Sequence, residues 1–171
     1  MSNIPKFYHL EYGWANKYYW FDIKEEVFKG MNFERWIKKG KLTFSKRSGT
    51  TPADMHGSTL ALDFYSKNFI EILNKNNANF LRYKINFVPE LKNIGSYYFI
   101  EIRDILPCKN TLNKTTFKLK NWRGEKLFTL KGTKFTIVSE NLKNILEKSY
   151  LKNVIFEEIP LRKGIYDAYN F

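Results

Sequence analysis

The chain has 171 residues, 43% of them hydrophobic and 18% aromatic, and carries a formal net charge of +12. That length suits one domain with a substantial core, and so dense a supply of rings excludes a disordered chain. The single cysteine, Cys108, excludes an intramolecular disulfide framework and fits a reducing compartment.

From the N-terminus, residues 7–12 and 17–23 read as two strands about a turn at 13–16, an aromatic hairpin rich in Tyr, Trp and Phe. Consecutive Tyr18 and Tyr19 must face opposite ways, so these rings meet a second layer or stay on the surface. Phe33, Trp36 and Ile37 then fall at helical spacing after Asn32, with Gly40 as the stop. A strand at 41–44 leads into residues 46–58, which lack apolar periodicity and predict an exposed loop. Its Lys46, Arg47, Ser48 and Gly49 do not complete a phosphate-binding loop, and His56 has no ligand set around it, so no metal site is expected.

Two strand-helix-strand units follow, at about 60–87 and 127–159. Ser66, Asn68, Phe69, Ile72 and Leu73 in the first align with Ser139, Asn141, Leu142, Ile145 and Leu146 in the second. Each Ser stands where an extended run gives way to an i, i+3, i+4 apolar stripe, so each reads as a helix N-cap rather than a nucleophile. Losing the Ser139 cap would cost about 1 kcal/mol. In the returning strand of the first unit, Leu81, Tyr83, Ile85 and Phe87 form the expected inward face. Between the units, residues 96–106 predict a central strand. Residues 115–120 alternate Phe117 and Leu119 with Lys118 and Lys120, the pattern of an edge or solvated strand. Glu157 and Glu158 must project to opposite faces of their strand and cannot form an acid-base pair. The reading is a single α+β domain spanning 1–171, a mixed β-sheet with a few short helices built around the two units.

The positive charge first suggests nucleic acid or an acidic protein. Of the 29 basic residues 23 are Lys and 6 Arg, beside abundant Asn and Ile, which an A- and T-rich genome would produce by itself. Arg is the residue that bidentate phosphate or base recognition favours, so a nucleic-acid role through a basic, aromatic-rich surface, with Trp122 and Arg123 stacking on bases, is the alternative to a protein partner. A positive surface would steer an acidic protein whatever its origin. The N-terminal residues lack an apolar signal core and no long apolar run occurs, which predicts a soluble cytoplasmic protein with no membrane contact. No catalytic constellation, metal set or cofactor motif is read.

The segment LFTLKGTKFTIVSENLKNILEKSYLKNVIFEEI, with Ile137, Val138, Ser139, Glu140, Leu142 and Phe156, resembles the immunity protein eleven family of bacterial polymorphic toxin systems. The segments at Pro52 to Asp54, Leu62 to Ser66 and Tyr97 to Leu106 are similar to further parts of that family's pattern, although the first unit carries Tyr65-Ser66-Lys67 where Val-Ser-Glu would stand. The resemblance implies a non-enzymatic cytoplasmic protein that binds and occludes a cognate toxin, and it transfers no catalytic residue. Trp14, Tyr18, Lys46, Arg47 and Trp122, in expected loops or on outward faces, are the candidate partner-binding residues.

Overall fold

The computed structural model describes residues 4–13, 15–24, 32–58, 60, 62–111, 114–162 and 165–169. Sixteen short strands and three α-helices are found among them: β1 (Phe7–Tyr12), β2 (Trp20–Ile23), α1 (Phe33–Lys38), β3 (Thr43–Ser48), β4 (Met55–His56), β5 (Phe64–Ser66), α2 (Lys67–Lys75), β6 (Phe80–Lys84), β7 (Asn86–Phe87), β8 (Tyr97–Ile102), β9 (Ile105–Leu106), β10 (Lys109–Asn110), β11 (Lys114–Lys118), β12 (Leu127–Leu130), β13 (Ile137–Ser139), α3 (Glu140–Lys148), β14 (Val154–Glu158), β15 (Leu161–Arg162) and β16 (Ile165–Tyr169). The result is a sheet-rich mixed fold of the α+β kind.

Pairing gives four sheets, ordered β14-β1-β13-β12-β9, β4-β5-β8-β6, β2-β3-β7 and β10-β11-β16-β15. In the first, β1 lies antiparallel between β13 and β14, the strands on either side of α3. In the second, β8 lies antiparallel between β5 and β6, the strands on either side of α2. Each nine-residue helix therefore carries the chain across one strand supplied from elsewhere in the sequence.

Strand alternation sorts the side chains into three cores. Tyr8 and Leu10 of β1, Tyr65, Ile100, Val138 and the buried stripes of α2 and α3 share the central one. Because successive residues of β8 point to opposite faces, Ile100 joins this core while Tyr97 joins a second, with Phe21, Ile37, Phe44 and Phe64. Phe7 anchors the third. Its ring meets those of Phe117, Trp122, Phe128 and Tyr166 edge-on, with centroids 4.8 to 5.6 Å away, an arrangement that adds to the area each ring buries.

Several local expectations hold. Asn32 accepts from the Arg35 amide at the start of α1, and Gly40 takes φ +63° after its end. Ser66 accepts from the Phe69 amide, and Asn77, at φ 55°, turns the chain after α2. Others are corrected. β1 and β2 are not a hairpin: β1 pairs with β13 and β14, and β2 with β3, strands that come from later in the chain. The loop expected at 46–58 starts as strand β3, and from Ala53 to Ser58 only Asp54 escapes full burial. Leu81 is 45% exposed, since β6 ends at Lys84 and β7 leaves to pair with β3. β11 is interior to its sheet, between β10 and β16, so of the two readings the edge fails and the solvated face fits, with Phe117 buried and Lys118 exposed. Ser139 occupies the N-cap position of α3 but makes no cap bond, and its buried hydroxyl has no hydrogen-bond partner among the described residues.

His56 explains the burial of the 53–58 segment. Its Nε2 accepts from the Ala53 amide at 2.9 Å and its Nδ1 donates to the Tyr19 carbonyl at 2.9 Å, which fixes one neutral tautomer. Rings of Tyr19, Phe21 and Tyr97 enclose it. Burial pushes the imidazole down to about 4, from the ordinary 6.5. The unfolded chain therefore binds a proton that the folded chain refuses, so His56 contributes stability above pH 6.5 that is lost as the pH falls toward 4. Denaturant titrations at pH 7 and pH 4 should show a loss of about 3 kcal/mol from this group, and His56→Gln should flatten that part of the acid slope. An unchanged slope would contradict the assignment.

Candidate functional site

The β2–β3 ribbon gathers three of the five sequence-predicted residues. A bulge between Trp20 and Phe21 pairs them with Ser48 and Lys46, leaving Arg47 without a partner across the ladder. Lys46 and Arg47 are exposed. The Lys46 ammonium sits 5.5 Å over the Tyr19 ring, and Lys17 sits 5.0 Å over Tyr18, itself bridged to Thr51. Such pairs are worth about 0.5–1 kcal/mol at an exposed site, and they hold flexible lysines against rigid rings. Tyr12, Tyr18, Tyr19 and Trp20 line a cleft of about 180 Å³ beside the ribbon. The approach depends on Gly49, at φ +85°: a Cβ there would lie 2.0 Å from the Tyr18 carbonyl oxygen.

Trp122 is elsewhere. Its ring packs 5.2 Å from Phe7 in the third core and its Nε1 donates to the Glu125 carbonyl at 2.8 Å. Trp14 lies outside the described residues.

A second grouping was not anticipated. His9 and Glu11 stand two apart on β1 and so share a face, and the ladder sets Glu157 of β14 opposite His9. Their donor atoms lie within 4.8 Å of one another, with His9 Nδ1 2.9 Å from Glu11 Oε1. Burial pushes His9 down to about 4, so at neutral pH the His9–Glu11 contact is a hydrogen bond from a neutral ring and not an ion pair. Phe135 packs edge-on against that ring at 4.8 Å. One imidazole and two carboxylates are donor types a divalent cation accepts, yet the hydrogen bond accounts for the His9–Glu11 pair without one. Glu158, as expected, goes to the other side and meets Lys6 at 3.3 Å. Sequence spacing missed this group because its third member arrives by cross-strand register. The legible signal was the His-x-Glu alternation within a strand.

Near Glu11, Asp63 lines a cleft of about 170 Å³ with Tyr65, Lys134 and Thr136. Burial first, and then the Glu11 charge, push its carboxyl up to about 7, against the pull of Lys134. Such a group releases its proton near neutrality, which is unusual for an Asp.

No family model matches the chain, and no curated protein does at a significant level.

The sign for Asp63 is opposite to that for His56. The folded chain holds a proton between the ordinary 3.8 and about 7 that the unfolded chain has released, so Asp63 costs stability as the pH rises through that window. Asp63→Asn should match the parent below pH 4 and exceed it at pH 8 by about 2 kcal/mol, allowing for water at the cleft mouth. Thermal melts across pH 4 to 8 would show it, and a constant difference would refute it.

Proposed function

We propose that the chain is a non-enzymatic binding module that neutralises a cognate bacterial toxin by covering it, working in the cytoplasm, as the family resemblance implies. The observation that carries the reading is the β2–β3 ribbon, where exposed Lys46 and Arg47 stand beside tyrosine rings already stacked under lysine ammonium groups. Tyr and Arg on rigid backbone are the side chains that concentrate binding energy at protein interfaces. The net charge of +12 would speed encounter with an acidic partner. No helix among the described residues is long and apolar enough to cross a membrane.

In this reading the chain is one domain, and the two strand-helix-strand segments are related units that act as scaffold. α2 and α3 present their buried stripes to the central core, and the ribbon packs Phe21 and Phe44 into the second. Trp122, held in the third core, supports the fold on a different side of the molecule's packing.

The test is calorimetric titration against the toxin-domain protein encoded beside the gene. Tyr18→Ala, Lys46→Ala and Arg47→Ala together should weaken binding by about a hundredfold or more, with the melting temperature lowered only by the few degrees that losing two exposed cation–π pairs costs. Unchanged affinity in the triple variant would remove the ribbon from the interface. Tight, steeply salt-dependent binding to an oligonucleotide, with none to the toxin, would replace the proposal with a nucleic-acid role.

A further inference from the structure

An imidazole and two carboxylates meet on one face of the β1–β14 ladder, and the hydrogen bond from His9 to Glu11 accounts for only two of the three. Antiparallel register places Glu157 directly across from His9. Glu157 is exposed, and among the described residues no Lys or Arg forms an ion pair with it or with Glu11. That is unexpected in a chain with 29 basic and 17 acidic residues. Like charges set together on a strand face disfavour one another, so the group is short of a cation.

The surroundings sharpen the point. His9 and Glu157 line a cleft of about 200 Å³ with Ile137, Ile159 and Ala168. Its two other carboxylates are matched, Glu158 by Lys6 at 3.3 Å and Asp167 by Arg162 at 3.9 Å, and its described lining holds no Lys or Arg for Glu157. Phe135, edge-on at 4.8 Å, fixes the His9 ring. One donor atom from each of His9, Glu11 and Glu157 lies within 4.8 Å of the other two. A cation held by nitrogen and oxygen at about 2.0–2.2 Å sets neighbouring donors about 3.0 Å apart in an octahedral shell and about 3.4 Å apart in a tetrahedral one. His9 Nδ1 and Glu11 Oε1, at 2.9 Å, already match the first spacing. The exposed Glu157 side chain is free to close the remainder.

We propose that His9, Glu11 and Glu157 bind a divalent transition-metal ion of the Zn²⁺ class, which ties β1 to β14 at the end of its sheet. The imidazole nitrogen selects such an ion over Mg²⁺ or Ca²⁺, which take oxygen donors. The His9–Glu11 hydrogen bond is the metal-free form. On binding, the Nδ1 proton moves to Nε2, the ring stays neutral and the metal takes its place between the two side chains. Three protein donors leave at least one position for water from the cleft. The ladder is separate from the β2–β3 ribbon, so this site stands or falls independently of the function proposed above.

The test is a titration of the full chain with Zn²⁺, followed by calorimetry and by amide nitrogen–proton NMR. One equivalent should bind with a dissociation constant of about 100 μM or tighter, shift the amides of 9–11 and 155–158, and raise the melting temperature. His9→Gln and Glu157→Gln should each weaken binding by about tenfold or more. Glu157→Gln alters an exposed side chain and should melt with the metal-free parent, so it decides the matter if the His9 variant does not fold. The chain's other nitrogen and sulfur side-chain ligands are the enclosed His56 imidazole and Cys108, and Cys108→Ser should bind as the parent does. Mg²⁺ at the same concentration should leave the spectrum unchanged. Binding unchanged in either Gln variant, lost in Cys108→Ser, or matched by Mg²⁺ would mean an adventitious ion only and would overturn the proposal. So would the absence of a saturable shift up to about 1 mM Zn²⁺.

Discussion

One carboxylate ties the molecule together. Asp54 accepts from the Ser66 hydroxyl through Oδ1 at 2.6 Å and from the Lys152 amide through Oδ2 at 2.9 Å. Its own backbone repeats the link, with the Asp54 amide donating to the Lys152 carbonyl and the Ser66 amide to the Asp54 carbonyl. Ser66 starts α2 and Lys152 lies in the turn between α3 and β14, so this residue joins the two helical segments across nearly a hundred positions of sequence. Hydrogen bonds to an ionised acceptor are about twice as strong as neutral ones. The flanking residues reinforce the junction: Tyr97 donates to the Ala53 carbonyl, and Asn153, in a left-handed turn, donates to the Met55 carbonyl.

With that junction made, the rest is sheet geometry. β1 and β8 are each inserted between the two strands that flank a helix, and both strands point one face into the central core. Their opposite faces differ. β8 turns Tyr97 into the second core, while β1 turns Phe7 into the third and leaves His9 and Glu11 at a partly exposed surface. The aromatic excess of the sequence is mostly spent on these internal layers. Tyr150 stays 91% exposed, and Tyr18 and Tyr19 beside the β2–β3 ribbon are half-buried under lysines.

Local patterns were legible wherever local physics decides. Phe7–Tyr12 was bounded correctly because a strand of alternating apolar residues needs no distant information. The starts of α1 and α2 followed from a capping side chain and an apolar stripe. Where distant partners decide, the sequence was mute. β1 and β2 looked like a hairpin because they are adjacent and aromatic, yet their ladders are filled from residues 137–158 and 43–48. The loop expected at 46–58 is buried from Ala53 onward, apart from half-buried Asp54, because its hydrogen-bond partners, Tyr19, Tyr97 and Lys152, lie far away in sequence. The candidate site divides the same way. Tyr18, Lys46 and Arg47 could be picked by residue type and expected exposure, whereas the His9 grouping depends on register. By position Ser139 is as good a cap as Ser66, and only the side-chain geometry distinguishes the two.

The central claim, that Asp54 couples the two helical segments, is tested most directly by a double-mutant cycle of Asp54→Ala and Ser66→Ala in denaturant unfolding. Asp54→Ala alone should cost about 3 kcal/mol, since it leaves the Lys152 amide and the Ser66 hydroxyl without their acceptor, and the pair should show a coupling of about 1–2 kcal/mol. Amides of 150–153 should lose hydrogen-exchange protection in the Asp54 variant along with those at the start of α2. A cost under about 0.5 kcal/mol, with the two substitutions strictly additive, would contradict the account.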